Sequence, residues 1–346
     1  MPKPLVSVII PTLNRPNFLK MAIVSVLNQD FKDFEIIVIN DGGADVKVIT
    51  DFFQDSRIKY FQHETRKGLP AARNTGIRHS QGKYLAYLDD DDIYYPNHFS
   101  SHLAVLNERY QLCYSSVCYA YKNYIGDSLE TYQREIADHS YDLEKILIDL
   151  QTPPYCFMHE KACLDKVGLF DETLPRHEDW DLWIRIFNSF KAIHLVKVTG
   201  EYTIIKQKNS GGYISSINSW VGYFLNTMQI IHSRYRDIAK RFPRIEEKQL
   251  ERRELLRKWC LLELDKMSDE QIASLQPANI MLNIAESSLL NYIEDVRGAR
   301  ALCGHFTRRL PNVAGLWLIY EKLSELLNDP FQAEYARRQL GMMSNE

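Results

Sequence analysis

The first ninety residues alternate between short apolar runs and segments with helical spacing. Leu5–Pro11 and Phe34–Asn40 are rich in β-branched residues and read as buried strands, while Asn17–Asn28 between them carries apolar side chains at helical intervals. The alternation continues with a helix around Val46–Phe53, a strand at Ile58–Gln62, a helix near Pro70–His79 and a strand at Tyr84–Leu88. Strands separated by helices are typical of βαβ units, so we predict an α/β fold with a mainly parallel sheet flanked by helices.

The second half of the chain has a different character. From about Trp220 onward, long helical patterns replace the strand-like runs, and Ala314–Leu340 reads as a helical hairpin broken at residues 328–330. A length of 346 residues is enough for two domains. We therefore predict an α/β domain over residues 1–218 and an all-helical appendage over residues 219–346.

Composition excludes several classes of protein. With 45% hydrophobic and 25% charged residues and a net charge of -3, the chain is typical of a soluble globular protein and has no global feature of a nucleic-acid binder. No run approaches the roughly 18 apolar residues of a membrane span, and no separate signal core precedes the first strand. The six cysteines form no CxxC pairs, so reduced, buried thiols in a cytoplasmic protein are expected.

A basic segment lies within the predicted helical domain. Between Arg234 and Lys258 ten Lys and Arg residues stand against five acidic ones. One interpretation is peripheral contact with anionic lipid at the inner face of a membrane. The alternative is a solvated helix whose charges pair internally. The C-terminal helices are also a candidate surface for homo-oligomer formation.

Four consecutive aspartates, Asp89 to Asp92, follow the strand at Tyr84–Leu88 directly. Adjacent carboxylates repel one another, and a hard divalent cation with oxygen ligands relieves this repulsion. Mg²⁺ or Mn²⁺ commonly takes only one or two protein carboxylates and completes its shell with water and phosphate oxygens. An isolated acidic run more often caps a helix, but ligands of open α/β sheets bind at the carboxyl ends of strands. This position favours a metal–diphosphate site.

Other polar residues fall at strand or helix ends. Asp41, before two glycines, is either a turn residue or an acceptor for a base N–H group. Arg73, early on a helix, can reach a phosphate or pair with an acid. Glu178 and Asp179 precede tryptophans; apolar flanks raise a carboxylate pKa toward the range of a general base, although helix capping explains the same pattern.

Two histidines have the spacing of metal ligands. His98 and His102 lie four residues apart on a predicted helix. No third ligand accompanies them, so we expect surface histidines.

Five segments in order resemble family 2 glycosyltransferases. They are VSVIIPTLNR (Val6–Arg15), EIIVINDGG (Glu35–Gly43), GLPAARNTGI (Gly68–Ile77), YLAYLDDDD (Tyr84–Asp92) and EDWDLWIRI (Glu178–Ile186). The resemblance covers about the first 215 residues and none of the C-terminal helices. It implies a GT-A fold, Rossmann-like, and an inverting enzyme that uses a nucleotide-sugar donor.

The resemblance also implies roles for residues at matching positions. Asp179 matches the catalytic base, and Asp91 is the metal ligand of the DXD motif, with Mn²⁺ or Mg²⁺ as cofactor. Because four aspartates are consecutive, Asp92 is an alternative ligand. The implied nucleotide-sugar contacts are Pro11, Thr12, Asn14, Arg15, Asp41, Arg73, Asp89 and Asp90, and possible supporting residues are Glu178, Asp92, Trp180, Lys206 and Lys208.

One departure concerns the loop beyond the base. Many relatives carry an arginine or histidine shortly after a tyrosine there, whereas Tyr202 is followed by Thr-Ile-Ile and then by Lys206 and Lys208. Trp180 offers a surface to a sugar ring or packs in the core.

The function that these features imply is metal-dependent, inverting transfer of a sugar. The donor is a nucleotide-sugar, a UDP-sugar in most of the family, and the acceptor is a hydroxyl of a saccharide or lipid-linked saccharide, with bacterial surface polysaccharide synthesis as the expected setting. Two alternatives stay open: a nucleotidyltransferase, and a catalytically inactive sugar-nucleotide-binding module.

Overall fold

A computed structural model describes residues 3–125, 128–174, 176–205, 225–281 and 293–343. The chain divides into two compact units, one of Met1–Ile146 with Leu150–Lys206 and one of Leu147–Asp149 with Gln207–Glu346. The predicted boundary between residues 218 and 219 lies outside the described residues. The predicted domain ranges therefore stay a prediction.

The first unit is built on a ten-stranded mixed sheet. Its strands are β1 (Val6–Thr12), β2 (Phe34–Asn40), β3 (Ile58–Gln62), β4 (Tyr84–Tyr87), β5 (Ile93–Tyr94), β6 (Leu112–Ile125), β7 (Ser128–Ala137), β8 (Phe157–Glu160), β9 (Ala192–Val198) and β10 (Gly200–Ile205). Its helices are α1 (Pro16–Leu27), α2 (Lys47–Phe52), α3 (Leu69–His79), α4 (His98–Leu103), α5 (Leu143–Ile146), α6 (Cys163–Val167) and α7 (Glu178–Ser189), with a 3₁₀ turn at Pro154–Cys156.

The strand order is β3-β2-β1-β4-β8-β6-β10-β5, with β7 and β9 also paired to β6. The strands β3, β2, β1 and β4 are mutually parallel, which confirms the α/β fold expected from the alternation of strands and helices. Beyond β4 the sheet turns antiparallel through β8 to β6, and β6 then pairs in parallel with β9 and β10. The carboxyl ends of β1, β2 and β4 share one edge.

Close packing of α3 on the sheet depends on a small residue. All residues of β1 and β2 are buried, as expected for parallel strands covered on both faces. A Cβ atom on Gly76 of α3 would lie 2.5 Å from Cγ2 of Ile9 in β1. Glycine therefore lets the helix approach the strand and sets the position of Arg73 on the same helix.

The described part of the second unit is helical. Its helices are α8 (Leu225–Arg234), α9 (Arg236–Ala239), α10 (Ile245–Leu264), α11 (Asp269–Ser274), α12 (Ile293–Arg309), α13 (Ala314–Leu326) and α14 (Pro330–Met343). The last two confirm the predicted hairpin. Buried side chains of α10 to α13, among them Leu264, Leu302, Phe306 and Leu323, form a common apolar core.

Charges of the basic segment pair largely within the second unit. Arg253 and Arg257 on α10 are buried. Acidic partners hold further cations; the pairs are Arg244–Glu247 at 2.6 Å, Lys240–Asp237 at 2.8 Å and Arg252–Asp149 at 2.6 Å. This arrangement favours internal pairing over a free cationic surface.

Two further observations bear on the sequence-based expectations. All six cysteines are free and buried, as expected. Among the described residues, none of the helices has both the length and the apolar character needed to cross a membrane.

Candidate active site

The acidic stretch follows β4, and arginine and threonine from the end of β1 contact it. Thr12 Oγ1 donates to Asp90 Oδ2 at 2.7 Å, and Arg15 Nη1 donates to Asp90 Oδ1 at 3.1 Å and to Asp91 Oδ2 at 2.8 Å. Burial raises the pKa of Asp90 to about 6, against the hydrogen bond from Thr12, which lowers it. The structure thus brings together Thr12, Arg15, Asp90 and Asp91, while their contacts with a nucleotide-sugar or a metal stay predictions.

Asp91 and Asp92 differ in accessibility. The Asp91 side chain is 34% exposed, whereas Asp92 is buried and its Oδ1 accepts from the backbone N–H of Thr203 at 2.9 Å. The other oxygen of Asp92 is buried and has no hydrogen-bond partner within the part of the chain that the structure describes. Burial, together with Asp91 and Asp89, raises the pKa of Asp92 well above its usual range, which favours the neutral carboxyl group. Asp91 is therefore the better-placed ligand for a cation.

Arg73 joins the acidic stretch to the start of α7. Only 1% of its side chain is exposed; Nη2 donates to Asp89 Oδ1 at 2.7 Å and Nη1 to Glu178 Oε1 at 2.6 Å. Burial by itself lowers the pKa of the guanidinium, but Asp89 and Glu178 more than reverse this, so Arg73 stays charged. Two motifs that are about ninety residues apart in sequence are thereby joined by one buried cation.

Asp179 lies beside this bridge. Its Oδ1 accepts from the backbone N–H of Trp180 at 2.8 Å, in the first turn of α7. Burial and then the neighbouring Glu178 raise the pKa of Asp179 to about 7, while Arg73 lowers it. Asp89 contributes to the same shift, so Asp179 is within electrostatic reach of the acidic stretch. A carboxylate with a pKa near neutrality has the property required of a general base.

Asp41 anchors a loop. Its Oδ1 accepts from Lys67 N at 2.8 Å and lies 2.8 Å from His63 Nδ1, while Oδ2 accepts from Gly68 N at 2.9 Å. Gly42 has a φ of 77°, and a Cβ there would overlap the backbone of the 65–66 segment. The turn interpretation therefore describes what Asp41 does within the protein, and its contact with a base stays a prediction.

The loops after β1 and β2 are also tied together. Asn14 takes a left-handed conformation with φ of 58°, and its Oδ1 accepts from Ala44 N at 2.8 Å. Pro11 lies inside β1 opposite Ile39, one residue before Thr12. These residues shape the edge of the sheet next to the acidic stretch.

Several sequence-based expectations are decided by burial. Trp180 is buried and its Nε1 donates to the carbonyl of Ile146 at 2.6 Å, so of its two alternatives core packing is correct. The expectation of surface positions for His98 and His102 is wrong, because both are fully buried; Nδ1 and Nε2 of His102 lie 2.8 and 3.0 Å from the carbonyl oxygens of His98 and Cys156. Lys206 and Lys208 lie outside the described residues.

The donor set fits an open site for a divalent cation. No group of three or more His, Cys, Asp or Glu side chains among the described residues could hold a metal ion. The acidic stretch instead offers hard carboxylate oxygens, chiefly those of the partly exposed Asp91. Partial burial and the neighbouring Asp89 raise the pKa of Asp91. Because Mg²⁺ and Mn²⁺ need few protein ligands when phosphate oxygens complete the shell, this set suits a metal–diphosphate site.

Two residues of the candidate site, His63 and Thr203, were not predicted from the sequence. His63 bridges Asp41 and Thr75 with ring-nitrogen distances of 2.8 and 2.9 Å. It stands directly after β3, so its place at the carboxyl edge was a usable signal. Thr203, which holds Asp92, is 111 residues away in sequence and acts through its backbone, so nothing in the sequence points to it.

The parallel sheet, the acidic stretch after β4 and the carboxylate pair at the start of α7 are features of the GT-A fold. Solved structures agree on the fold: S. aureus TarS 1-349 in complex with UDP-GlcNAc aligns with a TM-score of 0.51 and 16% identity, covering 96% of this chain and 92% of that one. The mannosyltransferase PcManGT from Pyrobaculum calidifontis, in complex with GDP-Man and Mn²⁺, aligns with a TM-score of 0.51 and 14% identity, covering 98% and 88%.

Sequence comparison identifies the family. The model of glycosyl transferase family 2 matches residues 7–169. An uncharacterised glycosyltransferase of Methanocaldococcus jannaschii is 31% identical over 237 residues, which cover 66% of this chain and 80% of that protein. The chain belongs to glycosyl transferase family 2.

Other relatives match over part of their length. An uncharacterised glycosyltransferase of Rickettsia prowazekii is 34% identical over 190 residues, 53% of this chain and 59% of that protein. The E. coli protein WfgD, a UDP-Glc:α-D-GlcNAc-diphosphoundecaprenol β-1,3-glucosyltransferase, is 27% identical over 206 residues, 58% of this chain and 77% of WfgD. The chain thus spans less than two thirds of the Rickettsia relative.

Proposed function

We propose that this enzyme is an inverting, metal-dependent glycosyltransferase that moves a sugar from a UDP-sugar to a hydroxyl of a lipid-linked saccharide. The observation that supports the proposal most is the Arg73 bridge, because the acidic stretch, through Asp89, and the residue next to Asp179, Glu178, share one buried cation. The acceptor class is suggested by WfgD, whose acceptor is a GlcNAc-diphosphoundecaprenol.

In the proposed reaction Asp179 accepts the proton. The acceptor hydroxyl oxygen forms a bond to the anomeric carbon from the face opposite the diphosphate, and the bond from that carbon to the diphosphate oxygen breaks. The hydroxyl proton passes to Asp179, whose Oδ1 is held by the N–H of Trp180, which leaves Oδ2 as the acceptor atom. The products are the inverted glycoside and the nucleoside diphosphate.

On the donor side, Arg15 and the acidic stretch would hold the nucleotide-sugar. Arg15 is half exposed and bonded to Asp90 and Asp91, so its guanidinium is accessible to a phosphate of the donor beside these carboxylates. A divalent cation held by Asp91, when bound, supplies charge neutralisation for the departing diphosphate. Asn14 and Asp41 would fix the loops around the nucleotide, the latter through the 67–68 backbone.

We also predict a cytoplasmic location, a peripheral membrane contact through residues 234–258 and a homo-oligomer through the C-terminal helices. A role in bacterial surface polysaccharide synthesis is proposed on the basis of WfgD and its acceptor.

The test is a donor panel. UDP-glucose, UDP-GlcNAc and GDP-mannose are incubated with the enzyme and Mn²⁺ or EDTA, and release of nucleoside diphosphate is followed. We expect turnover of a UDP-sugar that EDTA abolishes and that Asp179→Asn lowers by about 10²–10⁴-fold, while the exposed Asp165→Asn matches the wild type. Release of pyrophosphate from UTP would indicate nucleotidyl transfer instead, and donor binding without turnover would indicate an inactive module.

A further inference from the structure

One face of the sheet beside the candidate active site carries a row of tyrosines. In the register of β6 and β10, Tyr202 lies opposite Tyr119 and Ile204 lies opposite Tyr121. Because alternate residues of a strand share a face, Tyr119, Tyr121 and Tyr202 project from the same side. The ring centroids of Tyr119 and Tyr202 are 6.0 Å apart in an edge-to-face arrangement.

Strand β7 adds polar side chains to this face. Glu135 lies opposite Tyr119 and Gln133 opposite Tyr121. The Tyr121 hydroxyl donates to Glu135 Oε2 at 3.0 Å, and Gln133 Nε2 donates to Glu135 Oε1 at 2.6 Å. We call these five residues the tyrosine face. Its rings are half-buried or exposed, and its amide and carboxylate stand at the rim of the rings.

The tyrosine face is continuous with the acidic stretch. Tyr202 is 37% exposed, and the next residue, Thr203, donates its backbone N–H to Asp92. Burial, and after it the carboxylates of Asp92, Asp91 and Asp89, raise the pKa of the Tyr202 hydroxyl. Asp89 also raises the pKa of Asp179, so Tyr202 and the candidate base are both within electrostatic reach of the Asp89 carboxylate.

We propose that the tyrosine face binds the saccharide acceptor. A pyranose ring has an apolar C–H face that packs on an aromatic ring and a rim of hydroxyl groups that hydrogen-bond with carboxylate and amide groups. This face presents both kinds of group in that arrangement. Tyr119 and Tyr121 are roughly 7 Å apart along the strand, so the face extends beyond one ring and suits an oligosaccharide. The inference rests on the proposed function and deepens it.

A matched set of variants tests the tyrosine face. Tyr121→Ala removes one ring, and Tyr121→Phe keeps the ring and removes its hydroxyl. Tyr124→Ala is the control, because Tyr124 is exposed to 48%, lies on the same strand beyond the pairing irregularity that follows Tyr121, and is not one of the five residues of the tyrosine face. Each protein is applied to a microarray of bacterial cell-surface oligosaccharides, and acceptor-independent hydrolysis of a UDP-sugar is measured in parallel.

We expect the wild type to bind a subset of the arrayed oligosaccharides. Tyr121→Ala should weaken that binding on the order of tenfold, whereas Tyr121→Phe and Tyr124→Ala retain most of it. Donor hydrolysis should be equal in all four proteins. No binding by the wild type, equal loss in Tyr124→Ala, no loss in Tyr121→Ala, or loss of donor hydrolysis in Tyr121→Ala would each overturn the inference. Saccharide binding without hydrolysis of any donor would instead refute the proposed transferase and leave the binding face standing.

Discussion

Replacing Arg73 by methionine would leave two carboxylates without the buried cation that they share. Methionine keeps an unbranched stem in the same space, beside the ring of Phe170 that now lies 5.6 Å from the guanidinium carbon. The substitution therefore removes mainly the charge and its hydrogen bonds. Glu178 would lose a 2.6 Å contact while buried, and Asp89, which is partly exposed, a 2.7 Å contact.

The expected loss of stability follows from burial. Removing one partner of a buried ion pair costs about 3–5 kcal/mol, because the remaining charge stays desolvated. Because Asp89 is partly exposed, water solvates its charge and reduces the cost of leaving it unpaired. We therefore expect Arg73→Met to lower the free energy of unfolding, measured in urea, by about 3 kcal/mol. The same change removes a positive charge that lowers the pKa of Asp179, so that pKa should rise above 7.

Arg78→Met is the matched control on the same helix. Arg78 and Glu172 are 3.5 Å apart, with side chains exposed to 56% and 46%, and exposed pairs of this kind contribute about 0–1 kcal/mol. A free energy of unfolding for Arg73→Met within about 1 kcal/mol of that for Arg78→Met would refute the view that Arg73 is the cation on which both motifs depend.

Three further predictions concern pH, packing and lipid. The raised pKa of Asp179 means that the folded state binds its proton more tightly than the unfolded chain does, so the contribution of this group to wild-type stability falls as the pH rises from about 4 to 7. Asp179→Asn should therefore have a higher Tm than the wild type at pH 8 and lose that advantage at pH 4. An equal difference in Tm at both pH values would contradict this prediction. Gly76→Ala should lower the free energy of unfolding by about 1–3 kcal/mol through overlap with Ile9, whereas Gly341→Ala, which meets no neighbouring atom within 4 Å, should not lower it. Because the cations of residues 234–258 are largely paired with acids, we expect only weak binding to lipid. In liposome flotation, the absence of a salt-sensitive preference for anionic vesicles would reject the membrane contact, and such a preference would contradict our expectation.

The strands that position the site could be predicted because each is a short run rich in β-branched or aromatic residues that ends at a polar residue. Phe34–Asn40 and Ile58–Gln62 are observed at the predicted bounds, and Val6–Thr12 differs by one residue at each end. The hairpin of β6 and β7 was not predicted. The outer strand β7 is mostly exposed and rich in polar and charged residues, so its apolar signal is weak.

The acidic stretch could be predicted because its chemistry is local, whereas its partners could not. An arginine on a helix is usually a surface residue. Nothing near Arg73 in sequence indicates that it is buried and pairs with Glu178, 105 residues further on. The same holds for Asp41, whose three donors come from residues 63–68 and form only once β2 and β3 are paired. The family resemblance implied roles for single residues, but packing between segments far apart in sequence decides which charged side chains contact one another.

The pH dependence of nucleoside diphosphate release tests the central claim most directly. With Asp179 as the base, kcat/KM for the wild type should rise with pH through an apparent pKa of about 7 and level off above it. In Asp179→Asn that rise should disappear together with at least about 99% of the rate. An Asp179→Asn enzyme that keeps both the rate and the rise would contradict the account, because the proton would then pass to another group.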